Sequence, residues 1–170
     1  MLNLVKKAAK LLFIAIGSTV FLAFLAFLYI RIPHSPREAL ERSCNVDDAP
    51  DQAADSFILA GKEVVPFLIR EIQDKNMPCR GPAIDALGYF GDPSAVAVLR
   101  QVLDDKSEHE VFRCSALGAI ALIDKNLAGQ VAGKYKGSSD QCLAHQSESI
   151  LSGQPQYSRS YFEALLGTHD

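Results

Sequence analysis

Residues 64–75, VVPFLIREIQDK, and 95–106, AVAVLRQVLDDK, align without a gap at a spacing of about 31. Val65 matches Val96, Phe67 matches Val98, Leu68 matches Leu99 and Ile72 matches Leu103; Asp74-Lys75 recurs as Asp105-Lys106. The apolar positions fall at steps of three and four, the period of an amphipathic helix. Self-similarity at this period signals stacked units, because one such unit cannot bury its apolar face alone and its neighbours must cover it.

A second kind of helix alternates with the first. RGPAIDALGYFG, residues 80–91, matches RCSALGAIALID, residues 113–124, with Arg80 opposite Arg113, Ala83 opposite Ala116, Ala86 opposite Ala119 and Leu87 opposite Ile120. Alanine at every third position leaves a slim face that lets helices approach closely. The predicted order is helix A, tight turn, helix B, loop, and helix A again. Between them, Gly88 and Gly91 are expected to end one helix, with Gly91 able to adopt a left-handed conformation. Asp92 is expected to cap the next helix and Pro93 to open it. A phosphate loop would need a preceding strand and a Lys-Ser/Thr pair, which Gly88-x-x-Gly91 lacks.

Arg80-x-x-Ala83-x-x-Ala86-Leu87-Gly88-x-x-Gly91-Asp92-Pro93-x-Ala95-Val96-x-x-Leu99 resembles a HEAT repeat of the short, phycobilisome-lyase-like kind. The likeness is specific over 80–105 and fair over 61–75 and 110–124. In the later copy Ala121 replaces Gly88, and Asp124-Lys125 replaces Gly91-Asp92. The resemblance implies an α-solenoid scaffold or adaptor that binds another protein at a membrane; the residues themselves offer no cofactor site and no catalytic group. Its alternative implication is an enzyme like the bilin lyases. The exposed B-helix positions Arg70, Gln73, Arg100 and Gln101 are the candidate protein-binding surface. The first helix A, roughly 49–59, and everything after 132 read as degenerate caps. In that tail SSDQCLAHQSESIL and SRSYFEALLG are candidate helices.

LLFIAIGSTVFLAFLAFLYI, residues 11–30, carries no charge. A helix of about 20 residues spans about 30 Å, the hydrocarbon thickness of a bilayer. Lys6, Lys7 and Lys10 precede it; Tyr29 and Arg31 close it. An uncleaved anchor fits better than a cleaved signal peptide, whose apolar core is shorter and ends in a small-x-small site. The lysines favour a cytoplasmic tail over 1–10. The expected organisation is then a transmembrane helix over 11–30, a linker and short helix over 31–48, and the solenoid over 49–170. The expected setting is a bacterial inner membrane with the solenoid outside the cytoplasm. In the linker, Ser35-Pro36-Arg37-Glu38 reads as a helix start with a capping box.

Four of the 17 basic residues precede residue 32 and none of the 20 acidic ones does. That leaves 13 against 20 in the rest of the chain, a formal charge of about −7 that disfavours nucleic acid as a partner. No His belongs to a metal motif such as H-E-x-x-H; Cys142 and His145 stand three apart and can share a helix face, but a zinc site needs three or four ligands, and no Ser or Cys has a nucleophile setting. Glu63, Glu71, Asp85 and Glu110 read as solvated helix faces. Cys44, Cys79, Cys114 and Cys142 fall about one per unit. Disulfides between consecutive units, Cys44–Cys79 and Cys114–Cys142, suit a stack outside the cytoplasm. Buried free thiols suit thin helices equally well.

Overall fold

The computed structural model describes residues 2–45 and 52–167. These fall into two compact units, 1–32 and 33–170. The first is a single helix, α1 (Leu2–Arg31). Its stretch Ile14–Arg31 has a mean hydropathy of 2.0 and none of it is buried. By length and composition it can cross a membrane, and a signal sequence meets the same description. The hydroxyls of Ser18 and Thr19 donate to the carbonyls of Ile14 and Ala15, each at 2.9 Å. The small polar side chains of this stretch are thus satisfied within the helix, as a hydrocarbon surrounding requires.

The second unit is all helix among its described residues. α2 (Pro36–Cys44) is followed by α3 (Asp55–Ala60), α4 (Val65–Glu71), α5 (Arg80–Phe90), α6 (Val96–Asp104), α7 (Glu110–Ile123), α8 (Lys125–Ala132), α9 (Gln141–Leu151) and α10 (Tyr161–Leu166). The A helices α3, α5, α7 and α9 pack in chain order, with α4, α6 and α8 as their B partners. Leu68, Ile72, Leu99 and Leu103 on the B side and Ala83, Leu87, Ala116 and Ile120 on the A side are fully buried. These are the positions that matched between copies, and they form one continuous core. α2 belongs to that core through Ala39, which is fully buried, and the compact unit takes in the chain from Pro33. The expected start of the first A helix near 49 lies outside the described residues.

The corner after α5 is built as its residues dictate. Gly91 stands at φ 63°, left-handed, and caps α5 by donating to Gly88 O. The Asp92 carboxylate accepts from Ser94 N at 2.9 Å, and Pro93 opens a 3-10 turn that runs into α6. Gly88 departs from the expectation. It lies inside α5, fully buried against α7, where an added Cβ would stand 2.7 Å from Ala119 Cα. Its role is close helix approach, not termination. Gly88→Val is therefore expected to overpack the α5–α7 crossing and cost about 1–3 kcal/mol. Chemical denaturation would show this as a lowered midpoint. The start of α2 departs too. Ser35 Oγ accepts from Glu38 N at 3.1 Å, but the Glu38 carboxylate reaches one residue further back, to His34 N at 2.8 Å. The reciprocal box appears instead at α10, between Ser160 and Glu163.

Arg80 and Arg113 show why the repeat carries an arginine. Arg80 Nε donates to Ile72 O at 2.7 Å and its Nη1 pairs with Glu108 at 2.5 Å. Arg113 Nε donates to Leu103 O at 3.0 Å and its Nη1 meets Asp140 at 3.5 Å. Each guanidinium thus satisfies an orphan carbonyl at the end of the preceding B helix and a carboxylate just before or capping the next A helix. The repeated Asp-Lys pair adds an outer clasp, with Lys75 Nζ on Asp105 at 2.6 Å.

After α9 the chain doubles back. Gln156 accepts from Gln146 of α9. The Tyr157 ring meets Tyr89 of α5 edge-on, with centroids 6.2 Å apart. Arg159 then forms a two-pronged ion pair with Asp55 of α3, its Nη2 at 2.7 Å from Oδ2. Arg159 is 2% and Asp55 7% exposed. α10 packs on α3. Residues 154–160 therefore form a strap across the A helices, from the last back to the first.

Candidate functional site

The B-helix surface presents the residues singled out from the sequence. Arg70, Gln73 and Gln101 are exposed and Arg100 is half-buried. None of them stands bare of intramolecular partners except in the case of Gln101, for which no side-chain hydrogen bond is found among the described contacts. Arg70 Nε donates to Glu71 at 2.9 Å and its guanidinium lies 5.5 Å from the Phe67 ring centre. Gln73 donates to Ile69 O at 3.0 Å, and Arg100 pairs with Asp104 at 3.3 Å. Asp104 also accepts from the Tyr135 hydroxyl at 2.7 Å. The surface is a mixed-charge row with rotamers held by neighbours. Exposed pairs of this kind contribute at most about 1 kcal/mol each, so their charges can be altered with little effect on folding.

The four cysteines meet in two pairs. Cys44 at the end of α2 is joined to Cys79 before α5, with Cα atoms 5.3 Å apart. Cys114 of α7 is joined to Cys142 of α9, with Cα atoms 5.8 Å apart. Cys79 stands at φ 54° and caps α5 without a side-chain hydrogen bond, a left-handed conformation that disfavours any side chain.

The sequence did not single out the cleft between the strap and the A helices. It holds about 290 Å³ and is lined by Asp85, Tyr89, Ser115, Gln146, Gln156 and Tyr157, among others. Asp85 is half-buried in this cleft rather than on a fully solvated helix face. Burial raises its carboxyl from the usual range to about 6, and a hydrogen bond from Ser115 only partly offsets this. Burial, and then the Asp85 charge, push the Tyr89 hydroxyl up as well. No ion pair among the described residues includes Asp85. The only available sequence signal was its place, one residue before the buried Ala86-Leu87 pair.

A carboxyl whose folded value lies above its unfolded one stabilises the fold when protonated. Its contribution is complete below about pH 4 and is lost as pH rises through about 6. Asp85→Asn is thus expected to stabilise the protein at pH 7 by up to about 3 kcal/mol. It should also flatten the pH dependence of stability between pH 4 and 6. Thermal melts of both proteins across that range would show it.

The family model described as HEAT repeats matches residues 38–131. No curated protein and no solved structure matches the chain. The matched stretch runs from α2 through most of α8 and takes in the paired A and B helices and the arginine-bearing joints. It covers more than half of the 170 residues, and the chain belongs to the HEAT-repeat family.

Proposed function

We propose that this protein is a membrane-anchored adaptor whose HEAT repeats bind another protein and so help a membrane complex assemble. HEAT repeats commonly serve as interaction surfaces and are usually not enzymes, in keeping with this reading. The observation that carries it is the strap. It lies over the A helices and leaves a cleft at its edge as the opening on that side, so the B-helix row of Arg70, Gln73, Arg100 and Gln101 is the broad face open to a partner. The exposed apolar stretch of α1 supports anchoring in a membrane, which in this proposal is a bacterial inner membrane. The paired cysteines support placing the repeats in an oxidising compartment outside the cytoplasm. The likeness to the short repeats of the phycobilisome lyases is retained for the fold of the unit.

Crosslinking in intact membranes, followed by affinity isolation in neutral detergent, tests the reading. The wild-type chain should recover a defined partner, and Arg70→Glu with Arg100→Glu should reduce that recovery at least tenfold without lowering the melting temperature. An unchanged partner set would move the contact to another face. A C-terminal reporter that works only outside the cytoplasm should be active; a silent reporter on a stable fusion reverses the topology.

A further inference from the structure

The Asp85 cleft has the wrong properties for a structural feature. A structural role at a half-buried position would favour an apolar residue or a paired charge, because partly burying a carboxylate without a cation costs stability. Asp85 lines the cleft half-buried and in no ion pair among the described residues, while the strap's own guanidinium, Arg159, is committed to Asp55. Groups kept at the expense of stability inside a cleft mark functional sites.

The surroundings define the missing group. Asp85 supplies a carboxylate, Ser115 a hydroxyl, and Tyr89 and Tyr157 two aromatic rings set edge to face. Gln146 and Gln156 add carboxamides at the strap side, bonded to one another. A carboxylate flanked by tyrosine rings and neutral oxygen acceptors suits a compact cation that can donate several hydrogen bonds. An ammonium on a slim aliphatic stem fits a cleft of about 290 Å³ better than an anion, which Asp85 would repel. The domain's formal charge of about −7 draws in a basic partner rather than an acidic one.

We propose that the cleft formed by Asp85, Ser115, Tyr89 and Tyr157 receives the side-chain ammonium of a lysine from the partner protein. This rests on the adaptor reading and gives that partner a defined anchor, separate from the B-helix row. The Asp85 carboxylate accepts the ammonium protons, the tyrosine rings flank the charge and line the stem, and the strap forms one wall of the site.

Calorimetric titration of the full chain in neutral detergent would use three probes. These are acetyl-Ala-Lys-Ala-amide, the same peptide with norleucine for lysine, and n-butylamine. The lysine peptide is expected to bind at least tenfold tighter than the norleucine peptide and tighter than butylamine. Asp85→Asn should remove the preference for lysine while the protein stays folded. Equal binding of the lysine and norleucine peptides overturns the proposal, as does an unchanged lysine preference in Asp85→Asn. Tighter binding of butylamine than of the lysine peptide overturns the assignment to a protein lysine and points to a free amine. Crosslinking separates this proposal from the reading beneath it. If wild type and Asp85→Asn recover the same partner equally, the cleft proposal falls and the adaptor stands. If the wild type recovers none, the adaptor falls, and lysine binding to the peptide then no longer supports a protein source.

Discussion

Arg159→Ala is expected to destabilise the repeat unit by about 3–5 kcal/mol, because it leaves the Asp55 carboxylate buried without its cation. Both partners lie inside the fold, and the pair links residues 104 apart in sequence. The loss should be visible in two ways. Chemical denaturation should give a lower midpoint, and limited proteolysis should cut first within residues 154–160. Replacing both partners together, Asp55→Leu with Arg159→Met, should recover much of the lost stability, since two apolar groups leave no unpaired charge. If the double variant were as unstable as the single one, the strap would owe its position to something other than this pair.

Breaking Cys44–Cys79 is the second large effect. The bond closes a separation of 35 residues, and its loss is expected to cost about 3–4 kcal/mol through the freedom returned to the unfolded chain. The comparison of two double variants is sharper than either alone. Cys44→Ser with Cys79→Ser keeps a side chain at the left-handed position before α5. Cys44→Ser with Cys79→Gly removes it, and should be more stable by about 1 kcal/mol. Denaturation followed by circular dichroism gives both differences. An oxidised wild type no more stable than its reduced form would show that the bond contributes nothing to the fold.

What could be read in the chain follows from range. The B helices were legible because Leu68, Ile72, Leu99 and Leu103 keep a short period. The corner at Gly91-Asp92-Pro93 was legible because capping is local. The B-helix row could be named from the same period, since the positions opposite the buried ones must face outwards. The strap was not legible. Residues 154–160 have no period, and their partners on α3, α5 and α9 are reached only after folding. Asp85 was misread for a related reason: helical spacing alone cannot show that a strap will cover that face. Gly88 was misread because helix termination and close packing favour the same residue. Only the position of Ala119 across the crossing distinguishes them.

The strap also fixes the size of the array. Open stacks of repeats can gain or lose a unit, since each touches only its neighbours. Here the far end is tied to the near end by Arg159 and Asp55 across an intervening row of A helices. One more unit would widen that row by about 8–10 Å, the usual spacing between packed helices. Extended chain advances about 3.3 Å per residue, so residues 154–160 would fall short by about three positions. A duplication of the repeat would have to lengthen the strap at the same time, so the tail acts as a ruler for the number of units.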